Sequence, residues 1–241
     1  MSFQREGNPL HWPERRRMAV GRHAKRYDAN EVAQYRAIRG LGTLEKEDQD
    51  AYLDDLLEVP SIRTMLRPGC KVLDVGAGCG VMTKLLLRLP SLEIQALEPS
   101  QSMIDALRQD PELSGVRIVQ GTCDQPEDEH LFSTDSFQVI AVRQVCNGLW
   151  DPIKAFQNWY RWLVPQGRVI VIEGTYARDA WRGDWEEEID DLPLSSTQSL
   201  ATIPYLLEKV GFEIDSVQWM ESTNRMPITR TPRYLVTAIK S

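Results

Sequence analysis

Soft metal ligands are scarce in this chain of 241 residues, which holds three histidines and four cysteines. Cys70, Cys79, Cys123 and Cys146 form no Cys-x-x-Cys pair, and His11, His23 and His130 are scattered. That excludes zinc-ribbon spacing and a disulfide framework, so no metal is expected and buried thiols in a reducing compartment are. The chain also lacks any apolar run approaching the roughly 20 residues that a membrane-spanning helix needs. Its opening stretch, MSFQREGNPLHWPERRR, holds no apolar signal-peptide segment. The cytoplasm is therefore the expected location, and a membrane is not an expected partner. Positive charge is outnumbered, with 28 Lys and Arg against 35 Asp and Glu, for a formal net charge of -7. A field of that sign repels phosphate backbones, so nucleic acid is not expected either. What is present, 42% hydrophobic and 26% charged residues, is ordinary globular composition. The length suits one large domain, or a core with an attached cap, able to bury a core without staples.

Residues 1–66 show no strand patterning. The stretch 15–39 is basic and contains Tyr27 and Tyr35, whereas 45–65 reads as helix, with Tyr52, Leu53, Leu56, Leu57 and Ile62 spaced by threes and fours. After Arg67-Pro68-Gly69 the rhythm changes. Short apolar runs at 71–75, 92–97, 116–120, 137–142 and 168–173 alternate with helical patterns at 81–89, 101–109 and 152–163. In the last of these Ile153, Phe156, Trp159 and Trp162 recur every third residue, enough to bury one face. Such alternation predicts a parallel sheet with helices on both faces. Beyond it, 199–210 reads as a helix closed by Gly211, with Pro204 starting or kinking it. Segments 212–220 and 234–239 then read as two strands with no helix between them, an antiparallel pair at the sheet's edge.

The strongest chemical signal is the segment VLDVGAGCG at 72–80, where an apolar strand enters a turn with glycine at 76, 78 and 80. Glycine permits positive φ and close backbone approach, and a helix start directs N–H groups at a ligand. About twenty residues on, the next strand ends in Glu98, a carboxylate able to accept two hydrogen bonds from a ribose diol. Loop, spacing and acid together predict a nucleoside-type cofactor. As a strand-end residue, Glu98 is expected to be dispensable for folding. A dinucleotide fingerprint would place its third glycine at position 81, which here is Val81.

Asp74-x-Gly76-x-Gly78-x-Gly80 instead resembles the first motif of class I S-adenosylmethionine-dependent methyltransferases, and the resemblance runs from about residue 67 to the end. It implies a Rossmann-like α/β fold: a seven-stranded, mostly parallel sheet with helices on both faces, an antiparallel last strand and an N-terminal helical cap. The corresponding organisation is a cap or arm over 1–66 and a core over 67–241. Asp74, Gly76, Ala77 and Gly78 match the cofactor loop. Glu98, in LEPSQSMI, matches the ribose-binding acid, followed by Pro99, and Met103 matches an apolar residue near the adenine. Thr122, Cys123 and Asp124 fall in the adenine-binding stretch. Thr122 stands where many members carry Asp, so Asp124 is a candidate substitute. Residues 137–142 match the fourth strand, and Arg143 follows it on the cofactor side. The segment 162–168 resembles the family's R-x-L-K-P-G-G turn, with Gln166 in place of a glycine, and Val210-Gly211-Phe212 resembles the turn before the sixth strand.

The resemblance implies S-adenosyl-L-methionine as cofactor and methyl transfer as activity. After the fourth strand come Arg143, Gln144, Val145, Cys146, Asn147, Gly148, Leu149 and Trp150, without the Asn/Asp-Pro-Pro-aromatic motif of DNA amino-methylases. The double-Glu loop of protein arginine methyltransferases and the aspartate of metal-dependent catechol-type enzymes are also missing. A small-molecule acceptor is therefore expected, with Gln144, Asn147 and Trp150 as candidate contacts and Tyr27 and Tyr35 as candidates on a closing segment. No catalytic base stands out. His11 is the best outside candidate by its position in the expected cap. The acidic stretch at 181–188 reads either as a pocket wall or as a solvated face. A nicotinamide-dependent oxidoreductase and a non-catalytic S-adenosylmethionine-binding protein are the competing readings, and oligomeric state is open.

Overall fold

The computed structural model describes residues 46–181, 189–229 and 231–241, together with Glu14 and Leu44. His11, His23, Tyr27, Tyr35 and most of the acidic 181–188 stretch lie outside these residues. The strands are β1 (Lys71–Val75), β2 (Glu93–Glu98), β3 (Arg117–Gln120), β4 (Phe137–Arg143), β5 (Leu163–Gly174), β6 (Phe212–Trp219) and β7 (Arg233–Lys240). They form one seven-stranded sheet in the order β3-β2-β1-β4-β5-β7-β6. Neighbours from β3 to β5 pair in parallel, and β7 runs antiparallel to both β5 and β6. The expected antiparallel pair is present, but its later strand is inserted and its earlier one, β6, forms the edge.

Strand alternation sorts the side chains onto two faces. Leu73, Val75, Ile140, Val142, Val169 and Val171 point one way, onto α5 (Pro152–Trp162) and α6 (Thr202–Val210). Phe156, Trp159 and Trp162 of α5 are fully buried there, as their three-residue spacing predicts. Val72, Val139, Ala141, Ile170 and Ile172 point the other way, onto α1 (Lys46–Glu58), α2 (Pro60–Met65) and α3 (Val81–Leu87). The fourth helix, α4 (Gln101–Gln109), follows β2 and packs Leu107 with Ala77 and Ala96. In α6 Pro204 falls in the first turn, where its missing N–H removes no helical bond, so it starts the helix rather than kinking it. Gly211 closes that helix at φ 113°.

Helices α1 and α2 pack on the sheet: Tyr52, Leu53, Leu56, Val59 and Ile62 are buried as part of its core layer. The Asp55 carboxylate further accepts the Ser222 and Thr223 N–H groups (3.0 and 2.8 Å), capping a one-turn helix, α7 (Glu221–Asn224). That turn lies in the β6–β7 connection, where no helix was expected. A buried carboxylate on two orphan amides explains why so short a helix persists. No described helix is long and apolar enough to cross a membrane.

Candidate active site at the carboxyl edge of the sheet

The strand order reverses between β1 and β4, and ligands of open α/β sheets bind outside the strand ends at such a point. Of the three glycines after β1, two make room for protein. A Cβ on Gly80 would lie 2.5 Å from Leu113 Cδ1, and one on Gly76 would lie 2.4 Å from Val145 Cγ2. Gly78 differs. It sits at φ 55°, and a Cβ there would meet only the Gly76 carbonyl, at 4.0 Å, so this side of the turn is open. The amides of the turn's first three residues point inward. Gly76 N and Ala77 N both donate to Leu97 O (2.8 and 3.1 Å), and Gly78 N donates to Glu98 Oε2 (2.8 Å). The Ala77 side chain is buried. The turn is thus open to close approach at Gly78, with the amides of residues 76–78 bonded to β2.

Glu98 gains from this arrangement. Its Oε1 accepts Ser100 N (2.9 Å) while Oε2 holds Gly78 N, so two successive βα turns clamp one carboxylate at 5% exposure. A carboxylate has acceptor capacity beyond two such bonds. Ser100 in turn caps α4 by accepting Met103 N, and the Gln120 amide reaches Pro99 O. Met103 is buried with its sulfur 3.2 Å from Cys79 Sγ. Asp74 lies at the end of β1, fully buried, with Oδ2 accepting from Thr83 Oγ1 (2.5 Å). Its Oδ1 has no hydrogen-bond partner among the described residues. Burial pushes its pKa up to about 7, against the pull of the Thr83 hydroxyl and the Arg143 guanidinium. An orphaned buried carboxylate oxygen, a clamped Glu98 and an open face at Gly78 fit a nucleoside bearing a cationic amino acid. Glu98 suits its ribose and Asp74 its ammonium.

The stretch after β3 is built differently from its sequence reading. Thr122 donates to Asp128 Oδ2 (2.5 Å), which also accepts Gln125 N (2.9 Å) and has its pKa raised by burial. Cys123 is buried in the core, and Asn158 holds its carbonyl (3.0 Å). Asp124 accepts Trp150 N (2.7 Å), Asp151 N (3.2 Å) and Gln125 Nε2 (3.0 Å). Its carboxylate thus ties the β3 turn to the β4 turn instead of standing open to an adenine. Trp150 is buried against Leu192, so its ring packs more than it lines.

Beyond β4 the chain turns sharply. Gln144 adopts φ 56°, rare without glycine and typical of strained functional turns. Its Nε2 donates to Tyr176 Oη (3.0 Å), and Oε1 has no partner among the described residues. Arg233, at the start of β7, donates to the same phenol (2.7 Å), and its guanidinium lies 5.6 Å from that ring's centre. Arg143 donates to Tyr52 Oη (3.2 Å) and lies 5.2 Å from its ring centre. Beneath them Glu173 is buried, with Oε1 on Gly174 N (3.0 Å) and Oε2 lacking a partner among the described residues. Burial raises the pKa of Glu173, and the Asn147 amide favours its charge. Sequence reading found Arg143, Gln144 and Asn147 here but missed Tyr52, Glu173, Tyr176 and Arg233, which carry no local motif. His130 lies apart, exposed beside Glu129. Among the described residues no cluster of three or more His, Cys, Asp or Glu is placed to hold a metal ion, and all four cysteines are free and buried.

The fold and this edge define a Rossmann-like domain for a nucleoside cofactor. Residues 73–171, from β1 into β5, match the methyltransferase domain family. The chain is 28% identical over 169 residues to the ubiquinone/menaquinone biosynthesis C-methyltransferase UbiE of Vibrio campbellii, covering 66% of this chain but 59% of that relative. Among solved structures it is similar to a SAM-dependent methyltransferase from Aquifex aeolicus, with TM-score 0.61, 16% identity and coverage of 89% and 100%. Phosphoethanolamine N-methyltransferase 2 of Haemonchus contortus, solved with S-adenosyl-L-methionine, is also similar, with TM-score 0.62, 17% identity and coverage of 89% and 58%. The chain thus carries a methyltransferase-domain match over residues 73–171, on a fold shared with solved S-adenosylmethionine-dependent methyltransferases.

Proposed function

We propose that this protein transfers the methyl group of S-adenosylmethionine to a small-molecule acceptor bound over the ends of β4, β5 and β7. The observation that carries the reading is the meeting of two differently built halves. On the β1–β2 side stand the carboxylates Asp74 and Glu98. On the β4–β7 side stand the phenols and guanidiniums of Tyr52, Arg143, Tyr176 and Arg233. They join where Arg143 acts on Asp74. The cofactor, when bound, supplies a methyl group already activated by its sulfonium. The chain has to hold it, align a nucleophile behind it and exclude water. Glu98 accepts the ribose hydroxyls and Asp74 takes the amino group. Gln144 and Asn147 orient the acceptor, with Gln144 fixed by its bond to Tyr176.

The relative's name makes a quinone precursor methylated at carbon the first acceptor to test, and the solved neighbour's makes an amine the second. The reading extends to residues 1–40, all but Glu14 outside the described residues, as a segment needed for transfer. Their removal is expected to abolish transfer while S-adenosylhomocysteine still binds, more loosely. A truncated protein with full activity would dispose of that role. Cytoplasmic placement and a partner list without nucleic acid belong to the same proposal, supported by the net charge of -7 and the four free thiols. The test is a thermal shift with S-adenosylhomocysteine against NAD, followed by turnover of methyl-labelled cofactor. At a hundred times Kd, linkage gives about 2.7 kcal/mol of stabilisation. Stabilisation by NAD alone refutes the cofactor half. Binding without transfer to any acceptor leaves a non-catalytic binder.

A further inference from the structure

We propose that Tyr52, bonded through its hydroxyl to Arg143, takes up the proton that the acceptor loses during methyl transfer; this rests on the methyltransferase reading above. A buried tyrosine usually satisfies its hydroxyl with one partner. Tyr52, 4% exposed on α1, has Arg143 from the end of β4 both donating to its oxygen at 3.2 Å and lying 5.2 Å from its ring centre. The arrangement is built, not incidental. Arg233 reaches the site across Gly174, where a Cβ would lie 2.2 Å from its Nη1 and 2.9 Å from the Tyr176 ring. Arg143 also stacks over the Tyr52 ring.

Neighbouring groups are set otherwise. Burial raises the Tyr52 pKa, but Arg143 and Arg233 outweigh it and hold the phenol below its ordinary value of 10.0. Tyr176 is pushed up to about 12 by burial and by Glu173, and Tyr234 is pushed up by the same two causes. Asp74 faces Arg143, and Asp55, on Tyr52's own helix, is committed to the α7 amides. Among the phenols described at this edge, Tyr52 is thus the one whose ionised form is favoured over its ordinary value. In the step, a lone pair on the acceptor atom forms the new bond to the methyl carbon. The carbon–sulfur bond breaks with its electron pair returning to sulfur, and the acceptor's proton passes to Tyr52 Oη. Solvent takes that proton before the next turnover.

Ultraviolet titration of tyrosinate in the full-length protein tests the first half without any acceptor. Wild type is expected to ionise one tyrosine below the ordinary range. Tyr52→Phe should lose that step, and Arg233→Gln should move it upward. Identical curves for wild type and Tyr52→Phe overturn the proposal, and Arg233→Gln decides it should Tyr52→Phe not fold. The second half uses methyl-labelled S-adenosylmethionine with a panel of quinol, phenol and amine acceptors. Tyr52→Phe should lower kcat by about a hundredfold, the lower end of general-base contributions, and erase the fall of kcat/KM on the acid side. Cofactor KM should be unchanged. Full activity with an intact acid limb in Tyr52→Phe overturns the proton role alone. Wild type that binds S-adenosylhomocysteine but methylates no acceptor overturns the methyltransferase reading and this role with it.

Discussion

Glu98→Ala should damage folding as well as cofactor binding, contrary to what a strand-end carboxylate suggests. The side chain is 5% exposed and accepts Gly78 N at 2.8 Å and Ser100 N at 2.9 Å. Alanine leaves both amides buried without an acceptor, at about 1–3 kcal/mol each, so about 2–6 kcal/mol of stability is at stake. Glu98→Gln separates the effects. Its remaining oxygen keeps one amide, while its NH2 group faces the other and offers a ribose hydroxyl a donor in place of an acceptor. One lost hydrogen bond to a charged group costs about 1.5–3 kcal/mol, so Kd for S-adenosylhomocysteine should rise about ten- to a hundredfold. Urea unfolding gives the first quantity and isothermal titration calorimetry the second. Wild-type affinity in a folded Glu98→Gln protein would show that the ribose binds elsewhere. Undiminished stability in Glu98→Ala would show that the clamp contributes nothing to the fold.

Asp74 gives a pH signature. Its folded pKa of about 7 lies above the ordinary 3.8, so the folded state binds the proton more tightly. That contribution is complete below about pH 4 and is lost as pH rises through about pH 7, an upper bound of about 4 kcal/mol. Asp74→Asn should flatten the slope of urea stability across that window, and an unchanged slope refutes the assignment. Gly174→Ala should cost about 1–3 kcal/mol by overpacking Arg233 and Tyr176, seen as a lower urea midpoint. It should also reduce turnover, so a neutral Gly174→Ala would mean the pair is loosely held. Asn147→Ala should lower kcat with S-adenosylhomocysteine affinity nearly intact, and an equal loss in both would move Asn147 to the cofactor side.

The β1–β2 side of the candidate site was legible in the sequence as a unit because it is nearly local. Asp74, Gly78 and Glu98 belong to one strand–turn–helix–strand unit, and the bond between Gly78 and Glu98 spans twenty residues. Side-chain periods of two and three to four ordered the strands and helices for the same reason, since the pattern of burial along each element is written within it. Which Asp in 121–128 meets which backbone was not legible. Asp124 and Asp128 are alike in sequence, and only the short 3-10 turn (Pro126–His130) turns Asp128 onto Thr122 and leaves Asp124 for Trp150. The part of the candidate site formed by Tyr52, Tyr176 and Arg233 was decided by tertiary structure. Tyr52, Tyr176 and Arg233 stand far apart in the chain. They meet because α1 lies on the sheet and β7 enters antiparallel beside β5, bringing its first residue to the edge where β4 and β5 end. A residue's own neighbours in sequence carry no record of that insertion. Its energy comes from the ladder and apolar faces of the whole sheet, and that fold places the side chains of Tyr52, Tyr176 and Arg233.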